Sequence, residues 1–312
     1  MVKRLRAEGY RAVVVDDLST GFRAALPDGC LWEGDLADEG FLSQVFETER
    51  PVAVMHFAGS ISVGESVACP DSYYRNNLSA GLVLIEVMRR FGVSALIFSS
   101  TAAVYGEPEH VPIGELHRCA PINPYGRSKW MFEQILADQE AAYGLRSICF
   151  RYFNAAGADP DGELGECHEP ETHLIPLVLQ VASGRRESIS VYGTDYDTPD
   201  GTCIRDYVHV YDLCSAHLLG LQYLLLGGCS GRFNLGNGDG FSVREVIDVA
   251  REVTGCAIPT VEAARREGDP PRLVADSSLA RSVLGWQPGY HRLSTIVGHA
   301  WAWERGGGFN EQ

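Results

Sequence analysis

Short apolar runs alternate with longer amphipathic stretches through the first half of the chain. "RAVVVDD", "CLWEGD", "VAVMHFAG", "VSALIFSS" and "RSICFRYFN" are brief and rich in Val, Ile and Phe, and each predicts a strand. Between them, Asp71–Arg90 and Pro124–Tyr143 carry helical spacing of apolar positions. Buried strands separated by helices predict βαβ units, hence a doubly wound parallel α/β sheet with both faces covered. In such a sheet ligands bind at the carboxyl ends of the strands. The polar positions there are Asp16, Asp35, Ala58–Gly59 and Ser99–Thr101, which predict one continuous rim.

The texture changes after Asn154. "AAGADPDGELGECHEPETH" reads as a loop, and helices are predicted near Leu174–Ser183, Val210–Leu226, Val243–Thr254 and Arg292–Arg305. The division expected is a Rossmann dinucleotide-binding domain over 1–155 and a smaller α/β substrate domain over 156–312, with a strand that crosses back. "FNLGNGDGFSVREVIDVA" imitates a dinucleotide fingerprint, but its glycines are one residue short of G-x-G-x-x-G and no acidic strand end follows. A tight turn with Ser242 capping the next helix explains it more simply.

Composition narrows the function classes. The 312 residues are 45% hydrophobic and 21% charged, ordinary for a globular protein. A net charge of −15 without a basic stripe excludes a phosphate-backbone binder, so no nucleic acid partner is expected. No apolar run suits a bilayer span or a signal peptide, so no membrane partner and a cytoplasmic location are expected. Nine cysteines without a C-x-x-C pair read as free thiols in a reducing compartment. Cys167, His168 and His173 cluster in "GECHEPETH" but match no zinc spacing, and no metal is expected.

The strongest chemical signal is "SSTAAVYG…NPYGRSK". Tyr125 and Lys129 stand one helical turn apart on one face. A phenol with a pKa of about 10 is a poor base near neutrality, and an ammonium nearby stabilises its phenolate. The chain holds two lysines against 24 arginines, so a Lys at this spacing is not surface filler. Ser99, Ser100 and Thr101 close a buried strand, and a hydroxyl there can bond a substrate oxygen and share its proton with Tyr125.

With these residues in view, the chain resembles the extended short-chain dehydrogenase/reductase family, and within it the UDP-glucose 4-epimerases. The resemblance runs through "VVVDDLSTG", "HFAGSISVGESV", "YYRNNLSAG", "FSSTAAVYG", "NPYGRSK", "RYFNAAGADP", "DGTCIRDYVHV", "NLGNGDGFSV" and "RREGDPPRLVAD". It implies Tyr125 as the base at the sugar 4-hydroxyl, Lys129 as its electrostatic partner and Thr101 as the aligning hydroxyl. It implies NAD as cofactor, with Asp16 at the adenosine ribose and Asp35 and Leu36 at the adenine. Phe57, Ala58, Gly59, Asn77, Ser99 and Tyr152, with Tyr125 and Lys129, would contact the rest. Asn154, His173, Leu174, Tyr192, Arg205, Arg266 and Asp269 would form the nucleotide-sugar shell, the two arginines suiting a diphosphate.

The implied activity is interconversion of UDP-glucose and UDP-galactose through a 4-keto sugar, in a cytoplasmic homodimer paired through Asp71–Arg90 and Pro124–Tyr143. Dehydratase relatives carry two acids after the Thr, where this chain has Ala102 and Ala103 and so lacks the groups for elimination. Leu273 matches a pocket-wall position and is intermediate in size. Two alternatives stay open: a nucleotide-sugar-binding homologue or subunit without turnover, and another NAD-dependent epimerase or decarboxylase of this family.

The resemblance also implies a strand and a glycine-rich turn about 20 residues ahead of the ribose-binding acid. Only fifteen residues precede Asp16, with Gly9 their sole glycine. The expectation is therefore a sheet lacking that strand and its phosphate cradle, with weakened NAD binding.

Overall fold

The computed structural model describes residues 1–266 and 268–309. Its first half contains the strands β1 (Val14–Asp16), β2 (Leu31–Glu33), β3 (Val54–His56), β4 (Ala95–Ser99) and β5 (Arg146–Tyr152). Helix α1 (Val2–Ala7) precedes them, and α2 (Glu39–Glu49) joins β2 to β3. Helices α3 (Val63–Ala68), α4 (Pro70–Tyr74) and α5 (Ala80–Arg90) lie between β3 and β4, and α6 (Pro124–Tyr143) lies between β4 and β5.

The second half adds β6 (Asn154–Ala156), α7 (Leu174–Ala182), β7 (Ile189–Tyr192), β8 (Ile204–Arg205), β9 (Tyr207–His209) and α8 (Val210–Leu225). There follow β10 (Gly231–Leu235), β11 (Phe241–Ser242), α9 (Val243–Thr254), β12 (Thr260–Ala263), β13 (Arg272–Leu273), α10 (Ser278–Leu284) and α11 (Leu293–Arg305).

The main sheet is parallel in the order β10-β5-β4-β3, with Phe98 of β4 registered between His56 and Cys149. The pair β1–β2 forms a separate parallel ladder, and among the described residues β1 and β3 do not pair. Strand alternation then assigns the faces. Ala95, Ile97, Ile148 and Phe150 pack with α8 and α10, whereas Leu96, Phe98 and Cys149 pack with α2, α5 and α6. Burying each large apolar side chain contributes about 1.5–3 kcal/mol, so two covered faces account for uninterrupted apolar strands.

The stretch expected as one helix over 71–90 contains a five-residue π turn, Arg75–Ser79, between α4 and α5. The turn carries the buried Asn77. Its amide donates to Ser60 O at 3.1 Å and to Ser128 Oγ at 3.0 Å, and its Oδ1 accepts from Ser60 N at 2.8 Å. Hydrogen bonds of this kind stabilise a locally underwound backbone, and π turns commonly mark functional positions.

Helices α7, α9 and α11 build a second core around Val178, Val246, Ile247, Ile296 and Val297, beside the parallel pair β7–β12. Short pairings β6–β9, β8–β11 and β8–β13 lie around it. Ser242 closes a reciprocal capping box with Glu245 at the start of α9, as its spacing predicted. The glycine turn before it is gripped by Asp206, whose carboxylate accepts from the N–H groups of Asn237 at 2.7 Å, Gly238 at 2.9 Å and Ala275 at 3.1 Å. All nine cysteines are free, and no helix among the described residues is long and apolar enough to cross a membrane.

Candidate active site

Residues expected to meet a dinucleotide stand at or just past the carboxyl ends of parallel strands. Asp16 ends β1 and accepts from Leu18 N at 2.8 Å, which leaves its second carboxylate oxygen without a bond to the described residues. Asp35 follows β2 and accepts from Ala37 N at 2.8 Å, while Leu36 packs toward α2. Phe57, Ala58 and Gly59 follow β3, with Phe57 and Ala58 exposed. Ser99 ends β4 and Tyr152 ends β5, and their hydroxyls are hydrogen-bonded to one another.

Gly59 has a φ of +155°, and a Cβ there would lie 3.0 Å from Asn77 Oδ1 and 3.3 Å from Lys129 Nζ. Only glycine leaves the backbone open over those two polar groups. An open backbone at a strand end, acids at the two preceding strand ends and a buried amide and ammonium beneath form a donor and acceptor set that fits a dinucleotide.

Helix α6 brings in the chemistry. Asn123 caps it by accepting from Gly126 N at 2.8 Å, and Pro124 occupies the first position, where its missing N–H costs nothing. Gly126 lets the first turn approach the Thr101–Val104 segment, since a Cβ there would meet Ala103 O at 2.6 Å. Gly81 of α5 gives the same close approach against Phe132.

This contact sets Tyr125 beside Thr101; burial pushes the phenol up and the neighbouring Thr101 hydroxyl draws it partly back. Thr101 also accepts from Ala103 N at 3.1 Å, which fixes its rotamer. Lys129 lies one turn on, 2% exposed, and its Nζ donates to Ser99 O at 3.0 Å. Burial lowers the ammonium to about 8. The sequence predicted the shared helix face, and the structure adds that the ammonium is seated on the strand-end carbonyl.

Continuing one further turn, Glu133 is 1% exposed and accepts from Ser100 Oγ at 2.5 Å. Arg151 of β5 grips it in a fork, Nε to Oε1 at 3.0 Å and Nη2 to Oε2 at 2.6 Å, and Arg232 of β10 donates to Oε2 at 3.0 Å. Arg151 in turn bonds Tyr105 Oη at 3.0 Å. Sequence reasoning missed Glu133, although Tyr125, Lys129 and Glu133 repeat at helical spacing along one face. An acid on the buried stripe was the available signal.

The nucleotide-sugar candidates are gathered in parts. Asn154 Nδ2 donates to Asp206 O at 3.1 Å. Arg205 is ion-paired with Asp269, and the Arg266 guanidinium lies 4.0 Å over the Tyr192 ring. Leu174 packs on the second core. His173 turns its Nδ1 to Glu166 in the preceding loop. Leu273 packs against the small cluster of Ala102, Val104, Tyr105 and Ile113, next to the Thr101 segment.

A parallel Rossmann sheet with a Thr–Tyr–Lys trio at its strand ends defines a nucleotide-cofactor enzyme of the short-chain dehydrogenase/reductase type. Residues 1–236 match the model of the NAD dependent epimerase/dehydratase family, and the chain belongs to that family. It is 52% identical over 306 residues to a UDP-glucose 4-epimerase of Streptococcus mutans, covering 97% of this chain and 92% of the relative. It is 50% identical over 301 residues to a UDP-glucose 4-epimerase of Halalkalibacterium halodurans, covering 96% and 90%. The crystal structure of UDP-glucose 4-epimerase from Brucella ovis in complex with NAD superposes with a TM-score of 0.94 at 49% identity, covering 96% of this chain and 92% of that one.

The seating of Lys129 has a measurable consequence. Its folded value of about 8 lies below its ordinary 10.5, so between those pH values the unfolded chain holds the extra proton and stability rises with pH. Denaturant unfolding of the protein without added nucleotide is expected to gain on the order of 3 kcal/mol from pH 8 to 10.5 relative to Lys129→Met, which removes the titrating group. Parallel stability curves for the two proteins would reject a buried, strained ammonium.

Proposed function

We propose that the protein is a UDP-glucose 4-epimerase, interconverting UDP-glucose and UDP-galactose by inverting sugar carbon 4. The observation that carries this reading is the Tyr125 phenol set beside the Thr101 hydroxyl and one helical turn from the buried Lys129 ammonium, at the end of β4. NAD would be held by Asp16, Asp35, Leu36, Phe57, Ala58, Gly59, Asn77, Ser99, Tyr125, Lys129 and Tyr152. When bound, NAD would supply the acceptor, and then the donor, for the hydride of sugar carbon 4.

The residues of the chain do the rest. Tyr125 removes the proton of the 4-hydroxyl and later restores it, with Thr101 aligning the sugar oxygen and passing the proton along its hydrogen bond. The Lys129 charge favours the phenolate through its proximity on the helix face. Arg205 and Arg266 bind the diphosphate, and Asn154, His173, Leu174, Tyr192 and Asp269 contact the remaining nucleotide sugar. Residues 1–155 hold the cofactor and 156–312 the sugar nucleotide. Ala102 and Ala103 supply no acid or base for dehydration, so the 4-keto sugar has no route but return. Leu273 beside Ala102 favours a hexose without an N-acetyl group.

The protein works in the cytoplasm as a homodimer. Helices α5 and α6 leave Leu82 (45%), Met131 (37%) and Tyr143 (58%) exposed, apolar surface that a helix pair from a second copy would cover.

Tyr125→Phe is expected to lower turnover of UDP-galactose at least about 100-fold, the usual worth of a general base, while isothermal titration shows UDP-galactose affinity within a few-fold of the parent. Turnover near the parent's would remove Tyr125 from the chemistry. Light scattering after size exclusion at micromolar concentration is expected to give twice the chain mass, and a monomer mass would contradict the helix pairing.

A further inference from the structure

The loop between β6 and α7 carries a second constellation, which shares only His173 with the proposed nucleotide-sugar shell. Glu166, His168, Glu171 and His173 fall within eight residues, and one ligand atom from each lies within 4.8 Å of all the others. His168 Nδ1 is 3.1 Å from Glu166 Oε1 and 3.7 Å from Glu171 Oε1; His173 Nδ1 is 3.9 Å from Glu171 Oε1 and in direct contact with Glu166 Oε1. For bonds of about 2.0–2.1 Å, the edge of a tetrahedral zinc site is about 3.3 Å. The separations bracket that edge. We propose that these four side chains form a site for one divalent ion of the zinc class, held by two imidazole nitrogens and two carboxylate oxygens.

The surroundings prepare the site. Glu171, whose side chain is 6% exposed, is clamped by the backbone N–H groups of Thr172 at 2.7 Å and His173 at 2.8 Å. The Glu166 carbonyl accepts from Trp303 Nε1 at 2.9 Å, and Gly165 lies so close under that indole that a Cβ would be 2.2 Å from Cγ. Such outer bonds orient metal ligands. The two imidazoles are the open side, with side chains 36% and 49% exposed, which gives an ion its path in.

Both imidazoles turn Nδ1 to one Glu166 oxygen, and a doubly charged ion there would balance the two carboxylates and take all four donors. Two nitrogens among four ligands favour zinc or cobalt over calcium or magnesium, which prefer all-oxygen sets. Cys167, which the sequence groups with the two histidines, is not among the converging atoms. The spacing Glu-x-His-x-x-Glu-x-His matches no zinc-finger pattern, so only the folded loop exposes the site. His173 is the N-cap residue of α7 but makes no capping bond, its ring being turned to Glu166. An ion there fixes the loop to the start of α7.

The test uses the full chain without an affinity tag, stripped by chelator and then titrated with zinc against a chromophoric competitor. Wild type and Cys167→Ser are expected to bind one tight equivalent and to rise in thermal midpoint on addition of zinc. His168→Ala is expected to bind that equivalent at least about 100-fold more weakly and to show no zinc-dependent rise. Its midpoint in chelator, matched to stripped wild type, checks that it folds. Cobalt in place of zinc adds a readout that needs no variant: visible bands of a four-coordinate nitrogen–oxygen site without thiolate charge transfer. Binding of the equivalent unchanged in His168→Ala, a thiolate band, or the absence of a tight equivalent in wild type would overturn the proposal.

Discussion

A buried carboxylate dictates how this molecule is assembled around its site. Glu133 has left water almost completely, and an unpaired charge in that position would cost several kcal/mol. It is compensated by Arg151 from β5, Arg232 from β10 and Ser100 from the end of β4, so one side chain of α6 fastens three adjacent strands. Replacing such a network with apolar groups can be neutral for stability. What it fixes is register, because α6 has one placement that satisfies every member. Tyr125 and Lys129, two turns and one turn earlier on the same face, are thereby aimed at the strand end that carries Ser99 and Thr101.

The rest of the site follows from that placement. Gly126 and Gly81 remove the side chains that would hold α6 away from the Thr101 segment and from α5. Asn77, on its π turn, ties the loop after β3 to Ser128 of α6 and keeps Gly59 open above Lys129. From the second half, Leu273 joins the cluster around Ala102, and Asp206 organises the glycine turn after β10. Residues far apart in the chain thus meet through backbone contacts and short side chains. An accumulation of glycine, serine and asparagine near one edge of the sheet is the form this takes in the sequence.

Much of this was legible beforehand, for identifiable reasons. The apolar runs, the helix carrying Tyr125 and Lys129, and the cap at Ser242 depend on local periodicity and spacing, which sequence displays directly. The nucleotide-cofactor class followed from the Tyr–Lys pair and the hydroxyls before it. What escaped was the compensation of buried charge. The one local mark of Glu133 is its place on the face of Tyr125 and Lys129, and its partners lie 18, 33 and 99 residues away. The same holds for the Glu166–His173 loop, where the informative quantity is the direction of four side chains rather than their spacing.

The central claim is that the chain inverts carbon 4 by removing and returning the same hydrogen, with Tyr125 moving only the hydroxyl proton. UDP-galactose carrying deuterium at carbon 4, incubated with the protein and NAD and followed by mass spectrometry and NMR, tests it most directly. The account requires UDP-glucose that retains deuterium at carbon 4. Product that has exchanged this position with water, or a substrate that remains unconverted, would contradict it.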